Sequence, residues 1–81
     1  MEPTVEIYTT DNDVTVAADL PGFEEHEIRL LFINGTLTII AGENQAASID
    51  LPPVDSDSME ARYRHGVLEV RFSRGRPIRI D

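Results

Sequence analysis

The sequence is 81 residues long, with fifteen acidic residues against seven basic ones, a net charge of −8 and no cysteine. That is chain for one domain with one core, without a disulfide framework or a thiolate metal site. An acidic body repels phosphate backbones, which argues against nucleic acid as a partner, and no apolar run approaches the roughly 18 residues that span a bilayer.

Every base is an arginine, and the distribution is uneven. Up to Ala61 only Arg29 faces the acids, whereas Arg62, Arg64, Arg71, Arg74, Arg76 and Arg79 crowd the last quarter. The expected role of these arginines is to alternate along strands and pair with carboxylates on neighbouring ones, in preference to a dedicated anion site. The absence of lysine beside abundant Asp and Glu suits a salt-rich cytoplasm. The start, Met1-Glu2-Pro3-Thr4, has no basic or apolar leader pattern, so no secretory signal is expected and a reducing cytoplasm is the expected location.

Taken in chain order, nearly every segment has period two. Val5 and Ile7 alternate with Glu6 and Tyr8, and residues 9–13 are turn formers. Val14, Val16 and Ala18 alternate with Thr15 and Ala17 until Leu20-Pro21-Gly22 breaks the strand. The acidic stretch 23–27 has room for a single helical turn. The clearest signal follows: residues 28–33 lead into Asn34-Gly35, and 36–40 lead out. Asn-Gly between β-branched and apolar runs predicts a two-residue hairpin, because both central residues of a type I′ turn need φ > 0. Residues 42–45 are read as a connection and 47–51 as a short strand, which Pro52-Pro53 stops. Residues 55–58 make a polar turn, 59–64 alternate, His65-Gly66 turns the chain, and Leu68, Val70 and Phe72 alternate with Glu69 and Arg71. Residues 77–80 form a last alternating piece. Seven to eight short strands without a helix pattern predict an all-β, immunoglobulin-like sandwich of two antiparallel sheets in a single domain, 1–81, with its core in 5–72.

Little here points to catalysis. His26 and His65 fall in predicted turns beside charged residues, and the five glycines are scattered singly rather than gathered into a phosphate-binding loop. Asp11-Asn12-Asp13 and Asp55-Ser56-Asp57 carry oxygen ligands, but a calcium site needs six or more, and these residue types also hydrogen-bond local backbone in turns. The sequence therefore predicts no catalytic residues, metal or cofactor. What stands out instead is surplus apolar surface on the hairpin. If Ile28, Leu30 and Phe32 fill the core, Leu31, Ile33 and Ile40 point the other way. Leaving several such side chains in water forgoes roughly 1.5–3 kcal/mol each, so they are read as an interaction patch.

Several segments together resemble the α-crystallin domain of the small heat shock proteins. They are Asp19-Leu20-Pro21-Gly22-Phe23, the acidic run and strand after it, Asn34-Gly35-Thr36-Leu37-Thr38-Ile39, Leu51-Pro52, and Ala61-Arg62-Tyr63-Arg64-His65-Gly66-Val67-Leu68-Glu69-Val70. The resemblance spans about 5–72 and is closest to archaeal and bacterial members. It implies an ATP-independent holdase that captures unfolded or partly folded client proteins. It also implies a groove between two strands, here 28–32 and 59–64, with Leu30, Phe32, Met59, Ala61 and Tyr63 as its lining. Ile78-Arg79-Ile80 has the form of the family's docking segment, which in a neighbouring chain would give self-association through Ile78 and Ile80, and in its own chain an edge strand. Two departures stand out: residues 42–46 leave no room for the swapped sixth strand, and Ser73-Arg74 replaces Pro-Lys. A co-chaperone-like adaptor of the same shape, binding one defined protein, is the alternative. A calcium- or sugar-binding sandwich is a third reading.

Overall fold

A computed structural model describes residues 4–75. The strands are β1 (Val5–Thr9), β2 (Asp13–Asp19), β3 (Ile28–Ile33), β4 (Thr36–Ala41), β5 (Asn44–Asp50), β6 (Glu60–Arg64) and β7 (Val67–Ser73), with short 3₁₀ turns at Glu25–Glu27 and Ser56–Ser58. They form two antiparallel sheets, β1-β2-β7-β6 and β3-β4-β5. This is the predicted sandwich. The additional piece at 77–80 lies outside the described residues.

The core comes from the strands that have a neighbour on both sides. Val14, Val16 and Ala18 of β2, Leu68, Val70 and Phe72 of β7, and Leu37, Ile39 and Ala41 of β4 are all buried. Period-two alternation sends each set to the inner face, and the register lines them up: Val14 faces Phe72, Val16 faces Val70 and Ala18 faces Leu68. The inward side chains of the edge strands β1, β3 and β5 are only half-buried or exposed, because a sheet edge is covered on one side alone. Ile28, Leu30 and Phe32 therefore pack against the core without being sealed in it. Ile7 faces Val16 yet is 46% exposed, since four strands overhang three.

The hairpin forms as its turn chemistry dictates. Asn34 has φ 50° and Gly35 φ 80°, the two positive values a type I′ turn requires, and Ile33 pairs with Thr36 across it. His65 (φ 51°) and Gly66 (φ 79°) repeat the arrangement between β6 and β7. The segment after β4 differs from its sequence reading. Strand β5 already begins at Asn44, so only Gly42-Glu43 form the connection, and the register slips between Ile39 and Ile40. Ile39 faces Ala47 and Ile40 faces Gln45, which leaves Ala46 as a bulge. Ala46 and Ala47 both pack on the core, and this broken alternation disguises the start of the strand.

Both acidic clusters lie in hydrogen-bonded turns. The amides of Asn12 and Asp13 donate to Thr10 Oγ1, and the Asp57 amide donates to Asp55 Oδ1 at 3.0 Å. Ser58 Oγ donates to the Asp55 carbonyl and accepts from the Ser73 amide, tying this turn to the end of β7. Of the arginines, Arg71 reaches Glu60 on β6 at 3.8 Å, the cross-strand pairing predicted. The register also sets Arg62 opposite Glu69. Arg74 donates instead to the Thr10 carbonyl.

Candidate partner-binding flank

Edge strands β3 and β6 lie on the same flank of the sandwich, one from each sheet. Each presents a row of backbone N–H and C=O groups that no strand of its own sheet pairs. Between them is a small cleft of about 100 Å³, lined by Ile28, Leu30, Ala61, Tyr63 and Leu68 together with Glu25 and Arg62. Three of the five residues predicted to line a groove meet there: Leu30, Ala61 and Tyr63. Ala61 faces Val70 on the inner side, yet it is exposed because β6 is an edge.

The other two predicted residues stand apart from that cleft. The Phe32 ring packs on Phe72, centroids 4.8 Å apart and tilted by 44°, and its open side lines a second cavity of about 480 Å³. Leu51, Pro52, Pro53 and Val54 form the rest of that cavity's apolar wall, beside the Asn34-Gly35 turn. Met59 is 38% exposed, immediately before β6. The flank thus holds two depressions along β3, one at Leu30 and one at Phe32. Sequence reasoning passed over Ile28, although its alternation with Leu30 and Phe32 puts it on the same face. It also passed over Leu68 and Val54, whose part depends on non-local packing.

Tyr63 does more than line a cleft. Its single hydroxyl proton is shared between the Leu20 carbonyl at 2.6 Å and the Phe23 carbonyl at 2.9 Å. The Leu20 amide in turn donates to the Gly66 carbonyl at 2.7 Å. A Cβ on Gly66 would sit 3.3 Å from Pro21 Cα, so the Pro21-Gly22 turn rests directly on the His65-Gly66 turn. This is the physical link between two sequence motifs more than forty positions apart.

The hairpin patch is partly as expected. Leu31 (49% exposed) and Ile33 (60% exposed) stand on the outer face of β3. Ile40 shares that face but is half-buried, opposite Arg29 rather than opposite either of them. Ile78 and Ile80, the predicted docking segment, lie outside the described residues.

The same fold recurs in known proteins. A small heat-shock protein from Xylella fastidiosa, solved with a distinct high order structure, superposes with a TM-score of 0.78 at 25% identity, over 100% of this chain and 95% of that one. This is the small heat shock protein fold. HspA from Xanthomonas axonopodis matches that fold equally well, with a TM-score of 0.79 and 26% identity over 91% of this chain and 94% of its own. In sequence the chain is 25% identical to the "Probable 15 kDa heat shock protein" of Leptospira interrogans over 96 aligned positions, covering 96% of this chain and 74% of that protein. No family model matches the chain. Its likeness to the small heat shock proteins rests on these relatives and on the residues quoted above. Among the described residues, no helix is long and apolar enough to cross a membrane.

Proposed function

We propose that this domain is an ATP-independent holdase of the small heat shock type, working in the cytoplasm on partly unfolded proteins. The observation that carries this reading is the β3–β6 flank, where apolar side chains and unpaired strand edges lie side by side. An unfolded segment in extended form gains main-chain hydrogen bonds along such an edge and places alternate side chains in the adjacent depressions. Leu30, Ala61 and Tyr63 offer one depression and Phe32 the other, with Met59 exposed beside them. Leu31 and Ile33 add apolar surface on the outer face of the same strand.

Light scattering of a heat-denatured reporter enzyme, without nucleotide, tests the proposal. The expected result is suppression of aggregation at or below an equimolar ratio, weakened by Ala61→Glu. If equimolar protein leaves the scattering of several unrelated reporters unchanged, the holdase reading is wrong.

A further inference from the structure

The two outer faces of the sandwich differ in charge. The outer face of β1-β2-β7-β6 carries Glu6, Asp13, Asp19, Glu60 and Glu69, interleaved with Arg62, Arg64 and Arg71. The outer face of β3-β4-β5 carries one acid, Asp50, and one base, Arg29. Leu31, Ile33 and Ile40 are apolar there, and the other outward positions are Thr, Ser or Gln. Asp50 is itself held in place, accepting from Thr36 Oγ1 at 2.7 Å. On a chain of net charge −8, this face is a neutral patch with an apolar stripe.

The register fixes where the two charges stand. Arg29 faces Ile40, which faces Gln45, so Arg29 begins one end row on edge strand β3. Ile33 faces Thr36, which faces Asp50, so Asp50 closes the opposite end row on edge strand β5. The two occupy opposite corners, about 17 Å apart at roughly 4.8 Å per strand and 3.4 Å per residue. Thr38 is at the centre, between Leu31 and Ser48.

Such a face is complementary to itself. A two-fold axis in the contact plane, through Thr38 and perpendicular to the Arg29–Asp50 diagonal, exchanges the two corners. Each Arg29 then meets the other copy's Asp50, and Leu31 and Ile33 are covered by the same face of the other copy. The strands of the two sheets cross steeply, close to the orthogonal mode of sheet packing. Stacking through the other outer face would instead bring the five acids of each copy together.

We propose that two copies of this chain associate face to face through β3-β4-β5, with Arg29 of each against Asp50 of the other. The footprint, three strands by six residues, is roughly 300 Å². A stable dimer buries about 800 Å² on each partner, so this contact is transient and fills as concentration rises. It does not depend on the holdase reading.

Sedimentation equilibrium of the full chain tests it, with a monomer expected to dimerise above roughly 100 µM. Arg29→Asp and Asp50→Arg, their folding checked by circular dichroism, should each raise the dissociation constant at least about 10-fold, because like charges then meet twice. The double exchange Arg29→Asp/Asp50→Arg should restore it. Asp50→Arg is the sharper arm. It makes the chain less negative, so relief of general repulsion alone would strengthen association. Association through any other surface, the C-terminal end included, would ignore both positions. A chain still monomeric at about 1 mM, single exchanges without effect, or a double exchange that restores nothing overturns the proposal.

A second measurement needs neither exchange. The native chain has no cysteine, and Glu43 is exposed in the turn between β4 and β5. Chains labelled with ¹⁵N are mixed with isotope-free Glu43→Cys chains that carry a nitroxide. The amide signals of Leu31, Ile33 and Thr38 should broaden, while those of Glu6, Thr15 and Glu69 on the other outer face stay sharp. Equal broadening of both sets, or of neither, also overturns the proposal.

Discussion

Tyr63 and Leu20, 43 residues apart in the chain, are joined by a hydrogen bond of 2.6 Å from the phenol to the main-chain carbonyl. The bond holds the loop after β2 against the end of β6, whose Tyr63 lines the smaller cleft. It explains why a tyrosine at this place in β6 accompanies Leu-Pro-Gly after β2: the ring fills the gap between sheets and the hydroxyl satisfies carbonyls of a loop that no strand pairs.

Tyr63→Phe keeps the ring and removes the donor to both carbonyls. Stability should fall by about 1–3 kcal/mol, the range for losing hydrogen bonds to partly buried acceptors. In urea titration the midpoint should drop while the slope is unchanged, since the folded and unfolded surfaces stay nearly the same. A midpoint equal to that of the parent chain would mean that the Leu20 loop is held by packing alone.

Gly66 and Gly35 make a matched pair for the cost of close approach. Both have positive φ, 79° and 80°, so alanine at either incurs a backbone penalty of about 1–2 kcal/mol. At Gly35 an added Cβ meets nothing within 4 Å, whereas at Gly66 it meets Pro21 Cα at 3.3 Å. Gly66→Ala should therefore lower Tm further than Gly35→Ala. Equal losses would show that the Pro21 turn moves away freely.

Surface and core substitutions on the two sheets should separate binding from stability. Leu31→Ser/Ile33→Ser changes side chains that are already 49% and 60% exposed, and should alter stability by no more than about 0.5 kcal/mol per site. If these residues contact clients, the same variant loses aggregation suppression. Phe72→Ala removes a fully buried ring that packs on Phe32 and should cost about 3–5 kcal/mol, a large part of the stability of a domain this small. Circular dichroism of both variants, read beside light scattering, tells the two effects apart.

Salt should stabilise the protein. The ion pair Arg71–Glu60 has side chains 59% and 75% exposed, so Glu60→Gln should change stability by no more than about 0.5 kcal/mol. The net charge of −8 acts over the whole surface, and screening it relieves self-repulsion in the compact state. Tm is expected to rise from low salt to molar KCl in both the parent chain and Glu60→Gln. Melting curves that do not shift with KCl would remove the idea of adaptation to a salt-rich cytoplasm.

Much of this protein is legible in its sequence, because the signals are local. Alternation sorts Val14, Val16, Leu68, Val70 and Phe72 onto inner faces whatever the strands pair with. Asn34-Gly35 specifies a tight hairpin because its two residues tolerate the positive φ that most others avoid. The bulge at Ala46 was hidden for the converse reason: it is a property of a pairing between two strands, not of either one.

Local pattern is enough to set strands, turns and which side chains face inward, since backbone torsion and period-two geometry act within a few residues. Which strands lie at edges is set by the way the sheets assemble. That choice leaves inward-facing Ala61 and Ile7 in solvent, splits Leu30 and Phe32 between two depressions, and sets the Tyr63 hydroxyl against Leu20. These are relations between segments far apart in the chain. They are selected by how four strands cover three, a condition that no local pattern encodes.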